Sequence, residues 1–167
     1  MSLLSVLQFP DPRLKLVAKP VQNFGAELKQ LCADMFETMY EFDGIGLAAT
    51  QVNILQRIVV MDISENKTAD LCLINPTIIE ASDEVIQEEG CLSFPGVYGK
   101  VKRNAKITVE FFNTEGHLHQ LTTDGLTAIC IQHEIDHLNG ITFYDHLSTL
   151  KQSMIHKKLT KLYDKTL

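Results

Sequence analysis

Six consecutive residues, Gln132-His133-Glu134-Ile135-Asp136-His137, place two metal-binding side chains and a base side by side. On a helix, His133 and His137 are four apart and project from one face, one turn above the other. Two imidazoles so arranged can grip one divalent metal ion, and Glu134, next to the first, can handle a proton of water that the ion carries. The chemistry this spacing points to is metal-assisted hydrolysis.

Two histidines leave such a site one donor short, because a catalytic zinc-type site has three protein ligands and one open position. His146 lies downstream, but not at the spacing of the extended three-histidine motif. Upstream, Glu89-Gly90-Cys91-Leu92-Ser93 offers Cys91 beside a glycine that lets the backbone be approached closely. Cys130 is its rival, three residues before His133 on the same helix face. If both sulfurs bound, four ligands would close the site and make it structural, although such sites usually pair their cysteines in short knuckles, and this chain has none. Two further readings stay open here: a small peptidase built on the same helix, and a Cys91 nucleophile paired with a histidine. Two imidazoles and a thiolate suit zinc, iron, nickel or cobalt alike. A third segment, Gly44-Ile45-Gly46-Leu47-Ala48-Ala49-Thr50-Gln51, looks like a fragment of a dinucleotide loop but follows a helix, with Ala at the third glycine position. A glycine-rich turn ending in a carboxamide can present backbone groups and one donor to a small substrate. Taken by itself it reads as a tight turn with a surface Gln.

The elements that must position these residues can be read from periodicity. Leu126 to Leu138 lacks Gly and Pro, Asp124 can cap its start, and Gly140 supplies a left-handed stop. Ala128, Ile129, Ile131, Ile135 and Leu138 make it apolar nearly all round, the mark of a buried helix. Asp136 on such a helix must then be neutralised. Ala26 to Phe42 is an amphipathic helix with Leu28, Leu31, Cys32, Met35 and Met39 as its core stripe. Strands are expected over 57–63, over 71–74 and 77–80 with a break at Asn75-Pro76, and over 85–91. A hairpin is expected over 105–113 and 117–123 around Thr114-Glu115-Gly116. Leu147 to Asp164 reads as a closing amphipathic helix with Leu150, Met154, Leu159 and Leu162 inward, and 148–165 as its full extent. Strands mostly precede the main helix instead of alternating with helices. The expected class is therefore α+β: mixed or antiparallel sheets around a central buried helix, with a C-terminal helix, in one catalytic domain over 1–167.

Length and composition narrow the partners. The chain has 167 residues, enough for one domain with a substantial core. A net charge of −6 argues against a global electrostatic grip on nucleic acid or an anionic membrane. No apolar run approaches the ~20 residues of a membrane span, and the N-terminus has neither signal-peptide nor transit-peptide character, so the cytoplasm is the expected compartment. Four cysteines without CxxC spacing call for no disulfide; Cys32, Cys72 and Cys130 read as small buried hydrophobes. Lys151, Lys157, Lys158, Lys161 and Lys165 make the last helix basic within an acidic chain. A solvated face is the usual reason.

Taken together, the three segments resemble the peptide deformylase family. Its pattern, Gly-x-Gly-x-Ala-Ala-x-Gln, then Glu-Gly-Cys-Leu-Ser, then His-Glu-x-x-His, occurs here in order and without mismatch. Phe9-Pro10-Asp11-Pro12-Arg13-Leu14 and the stretch from Pro95-Gly96 to Arg103 are similar to it too, while Phe94 and Val97-Tyr98-Gly99 depart from simpler family patterns. The resemblance implies removal of the formyl group from the formyl-methionine that begins new polypeptides. It implies that Cys91, His133 and His137 hold one divalent metal, ferrous iron in the cell, and that zinc, nickel or cobalt can replace it on purification. Glu134 then matches the general acid/base, and Gln51 with the Leu92 N–H the oxyanion donors. Ile45, Gly46 and Gly90 correspond to backbone that pairs with an extended substrate. Leu126, Ile129 and Cys130 correspond to the methionine pocket, which gives Cys130 a reason to stay off the metal. The resemblance also implies an Asp136–Arg103 ion pair, a monomer, and docking of the C-terminal helix on the ribosome. Asp43 reads as a plain turn residue, the alternative being an acceptor that orients a ligand imidazole.

Overall fold

Unbroken apolar runs in this chain end up between two helices, and the runs that alternate end up on one side of a sheet. The computed structural model describes residues 2–166, with Tyr163, Lys165 and Thr166 described by their backbone only. In chain order the elements are helix α1 (Ala26–Glu41), strand β1 (Gly46–Ala48), a short 3-10 turn (Ala49–Val52), β2 (Ile58–Met61), β3 (Leu71–Cys91), β4 (Phe94–Phe112), β5 (Leu118–Asp124), α2 (Gly125–Leu138) and α3 (Thr149–Thr166). The strands form one sheet in the order β1-β2-β3-β4-β5, each antiparallel to its neighbour, so the fold is α+β.

All four residues of β2, Ile-Val-Val-Met, are buried, because both faces of this part of the sheet are covered. Val59 and Met61 meet Ala128, Ile131 and Leu138 of α2. Ile58 and Val60 meet Leu28, Cys32, Met35 and Met39 of α1, the stripe expected from its periodicity. Helix α2 is thus a core helix. Its start differs from expectation: Asp124 occupies the N-cap position, but its side chain makes no capping hydrogen bond. Gly125, at φ +61°, makes the turn instead. The other end follows expectation. Gly140, at φ +74°, lets its own N–H reach His137 O at 3.1 Å and the Ile141 N–H reach Asp136 O at 2.9 Å.

Two further expectations change. Asn75-Pro76 does not divide a strand; β3 runs through it to Cys91. Asn75 takes φ +51°, its side chain clamps Val21 through both N–H (2.8 Å) and O (3.0 Å), and the register with β4 shifts between Ile74 and Thr77. The irregularity absorbs the missing proline donor. The inward face of α3 is also different. Ile155 and Leu159 are buried against Phe94, Val97, Val101 and Phe143, and of the residues expected there only Leu159 is among them. Leu150, Met154 and Leu162 are 73%, 58% and 47% exposed. At 3.6 residues per turn, Leu150 and Met154 stand roughly 100° or more around the helix from Ile155, and the body of the fold covers only one edge of that broad apolar arc.

Candidate metal centre and active-site cleft

Three elements meet at the cleft: the turn entering β1, the end of β3, and the buried face of α2. Cys91, His133 and His137 bring one ligand atom each to within 4.8 Å of one another, a group that could hold a metal ion. Cys91 Sγ lies 3.3 Å from His137 Nε2. Two ligands at ~2.3 and ~2.05 Å from a tetrahedral ion stand about 3.6 Å apart, so sulfur and nitrogen already sit at nearly the separation an ion would impose. Cys130 is not in this group. Its Sγ is turned toward Ile45 O at 3.9 Å, and burial, with Glu134 and Glu89 nearby, pushes its thiol well up and keeps it protonated. The donor set therefore suits a metal ion with three protein ligands. Burial, with His133 and Arg103 nearby, pushes the His137 imidazole well below its ordinary value, so it stays neutral with a lone pair to give.

The ring of His133 is fixed by Glu89, which the sequence reading had not singled out. Glu89 Oε1 accepts from His133 Nδ1–H at 2.8 Å, leaving Nε2 for a metal. Glu89 is gripped in turn by Arg103, whose Nε donates to Oε2 at 2.8 Å and Nη2 to Oε1 at 2.9 Å. Burial alone would raise the Glu89 carboxyl, but Arg103 and His133 outweigh it and hold it at about 2. Arg103 Nη1 also reaches Asp136 Oδ2 at 2.6 Å, the pairing expected for that acid, and His146 Nε2 donates to the same oxygen at 2.8 Å. The imidazole-orienting acid is thus Glu89 and not Asp43, which sits at φ +55° in the turn and lines the cleft. A signal was present in the sequence: on a strand, Glu89 and Cys91 are two apart and share a face.

Glu134 is 4% exposed, with Oε2 at 4.0 Å from His133 Nε2 and Oε1 without a hydrogen-bond partner. Burial raises its carboxyl to about 7, against the pull of His133. A carboxyl poised there can take and return a proton near neutral pH. Gly46 makes room for it, since a Cβ on Gly46 would lie 2.6 Å from Glu134 Oε2 and 2.7 Å from Cys130 Sγ. The turn before Gly46 is tied down by residues outside the motifs: Asp62 N–H donates to Ile45 O at 2.9 Å, and Tyr40 Oη–H donates to Asp62 Oδ2 at 2.7 Å.

Gln51 is buried, not a surface residue. Its Oε1 accepts the Ala48 N–H at 2.9 Å, which turns Nε2 toward Ser93 Oγ (3.1 Å) and Cys91 Sγ (3.5 Å). A strap of the N-terminal segment runs beside it. Leu7 N–H donates to Gln51 O at 2.7 Å, Gln8 Nε2 to Leu92 O at 3.1 Å, and Phe9 N–H to Ser93 O at 2.8 Å. One short stretch of chain thus holds both Gln51 and the Leu92 turn. Gln8 carried no signal in the sequence, and Ser93 closed the Glu-Gly-Cys-Leu-Ser segment without a role of its own, because each acts only through a neighbour brought to it by the fold.

The cleft has a volume of about 630 Å³. Ile45, Gly46, Gly90, Leu92, Leu126, Ile129 and Cys130 all line it, together with Gln51, Cys91, His133 and Glu134. Ile129 and Cys130 are buried at its floor, while Leu126 and Ile45 stand half-open at the rim. Tyr98 is a wall that sequence reading left unassigned; its ring covers Gly90 so closely that a Cβ there would lie 2.7 Å from it.

This geometry has close counterparts. A family model described as polypeptide deformylase matches residues 3–153. A peptide deformylase of Neisseria meningitidis is 53% identical over 161 residues, 96% of each chain. One from Chromobacterium violaceum is 54% identical over 161 residues, again 96% of each. Among solved structures, a peptide deformylase from Legionella pneumophila superposes with a TM-score of 0.94 at 43% identity, covering 98% of this chain and 97% of that one. The Ehrlichia chaffeensis enzyme in complex with actinonin gives 0.91 at 39% identity, covering 96% and 98%.

Proposed function

The chain belongs to the polypeptide deformylase family, metal-dependent hydrolases that remove the N-formyl group from new polypeptides, and on that footing we propose which of its residues do the work. Cys91, His133 and His137 are the metal ligands. A divalent ion held by them would supply Lewis acidity, lowering the pKa of water and polarising a formyl oxygen. Ferrous iron is the native ion, and zinc, nickel or cobalt can replace it. Glu134 takes the proton of the attacking water as oxygen adds to the formyl carbon. Gln51 Nε2–H and the Leu92 N–H donate to the oxyanion that develops. Glu134 then returns its proton to the amine nitrogen as the C–N bond breaks, and formate and a free N-terminus result.

Substrate binding follows from the edge of the sheet. β1 is an edge strand, so Ile45 and Gly46 on one side and Gly90 on the other suit a peptide added as an extended strand. Leu126, Ile129 and Cys130 form the wall for the methionine side chain, and the protonated Cys130 thiol behaves there as a small apolar group. The single observation that carries this reading is the convergence of three donors within 4.8 Å beside the buried Glu134. Anaerobically purified protein should release formate from formyl-Met-Ala-Ser, and Glu134→Gln should lose that activity while keeping its metal. Hydrolysis that survives in Glu134→Gln would overturn the assignment.

The exposed face of α3 carries Lys151, Lys157, Lys158 and Lys161 beside the uncovered Leu150 and Met154. Lys165, read with them from the sequence, has a side chain outside those described. We propose that this mixed basic and apolar face docks on the ribosome, in the cytoplasm, and that the protein works as a monomer. No helix among the described residues is long and apolar enough to cross a membrane. Combined Lys151→Glu, Lys157→Glu and Lys161→Glu changes should abolish a salt-sensitive association with ribosomes and leave formate release from the tripeptide unchanged. Undiminished association would refute the docking face.

A further inference from the structure

Two sulfurs in the core take no part in the centre described above. Cys32 on α1 and Cys72 at the start of β3 are both free thiols, with their Sγ atoms 3.2 Å apart. An S–S bond is ~2.05 Å long, so the gap to be closed is about 1.2 Å, shared between a helix and a strand. Cys32 is 4% exposed and Cys72 half-buried. Cys72 pairs with Val60 of β2, whereas pairing of β3 with β4 begins only at Ile74. Cys72 keeps part of its surface exposed, and that is the side from which a small oxidant would reach the pair.

We propose that Cys32 and Cys72 form an oxidisable dithiol, a modification site that takes a hydroperoxide and closes to a disulfide stapling α1 to β3. The Cys72 S–H donates to Cys32, and this outweighs burial and lowers the Cys32 thiol from its ordinary value while raising that of Cys72. Cys32 is thus the attacking sulfur. It displaces one oxygen of the hydroperoxide: the O–O bond breaks, the proton of Cys32 leaves with the departing oxygen as water or an alcohol, and Cys32 becomes a sulfenic acid. The Cys72 sulfur then attacks Cys32, the S–O bond breaks, and the hydroxide leaves with the Cys72 proton as water. Two thiols have lost two electrons, and one hydroperoxide has gained them.

The position of the staple gives it a consequence. Cys32 and Cys72 are 40 positions apart, and the loop between them holds Ile45, Gly46 and Gln51. Both sulfurs pack in the cluster that includes Leu47, Ala49 and the side chain of Leu92. The bond would tie down the segment that walls one side of the cleft while altering no residue that lines it. This inference stands on the sulfur pair alone and is independent of the roles assigned to the cleft.

The test uses the nickel-loaded protein, treated with one equivalent of hydrogen peroxide, then alkylated and peptide-mapped. The expected result is a linked Cys32–Cys72 peptide, with Cys130 alkylated. The melting temperature should rise by on the order of 10 °C for a loop of this length. Dithiothreitol should reverse the rise, and Cys72→Val should lack it while keeping its basal formate release. Recovery of both cysteines in alkylated form after the peroxide is consumed would overturn the proposal. So would Cys32 halted as a sulfinic acid, or an equal shift in Cys72→Val. The mapping of the unaltered chain decides the matter even if the variant folds poorly.

Discussion

Replacing Glu89 by Gln should weaken metal binding although Glu89 touches no metal. Three charge-assisted hydrogen bonds converge on this carboxylate, at 2.8 and 2.9 Å from Arg103 and 2.8 Å from His133, and its side chain is 6% exposed. Glutamine keeps the shape but presents an NH2 group where an oxygen stood. That group must face an N–H of Arg103 or of His133, donor against donor. One buried donor then goes unmet, at about 1–3 kcal/mol, and Arg103 keeps only Asp136 as a charged partner. Loss of the carboxylate also releases the tautomer and ring angle of His133, an effect typically worth ~10–100-fold in metal affinity, or about 1.4–2.7 kcal/mol. Nickel affinity measured by competition with a chromophoric chelator should fall within that range. Urea unfolding of the metal-free protein should show a loss of about 2–4 kcal/mol, rising to about 3–5 kcal/mol for Glu89→Ala, which strands Arg103 further. If Glu89→Gln bound nickel within twofold of the unaltered chain and unfolded at the same urea concentration, the account of this network would be wrong.

Other outcomes follow from the same geometry. Gln51→Ala should lower kcat by ~10²–10³ with metal content unchanged, as expected of an oxyanion donor; near-normal turnover would exclude that role. Gly46→Ala drives a methyl group to 2.6 Å from Glu134 Oε2, so kcat should drop by at least about tenfold while elemental analysis still finds one metal per chain. Gln8→Met removes the hydrogen bond that holds Leu92 O; at about 0.5–1.5 kcal/mol for such a bond, kcat should fall about 2–10-fold with KM unmoved. Chelation should abolish formate release with the far-UV circular dichroism retained, because the three helices and the sheet are built on their own apolar clusters; unfolding on metal removal would mark the centre as structural.

Much of the site was legible because its chemistry is local. The His133–His137 pair and Glu134 are fixed by helical spacing, and the helix itself is announced by an apolar circumference and a terminal glycine. The continuous apolar run of β2 and the stripe of α1 were equally plain, since burial on two faces or one leaves a period in the sequence. Less was legible where a residue's partner is distant. Cys91 and Cys130 were rivals until the strand end and the helix face were set against each other in space. The two-residue spacing of Glu89 and Cys91 puts them on one face but does not name His133 and Arg103 as the partners of Glu89, and no spacing rule encodes the contacts of Gln8 with Leu92 or of Ser93 with Gln51.

The face of α3 shows the same limit from another side. Leu150, Met154, Ile155, Leu159 and Leu162 form one wide apolar arc, and hydrophobicity alone does not say which edge of it is covered. The sequence by itself determined the metal chemistry, the helix that carries it and the α+β class, because those depend on neighbours three or four residues apart or two apart. Only the tertiary structure decided which sulfur meets the imidazoles, which acid orients them and which face of the last helix stays in water, because those are set by non-local contacts that exist only once the chain has closed on itself.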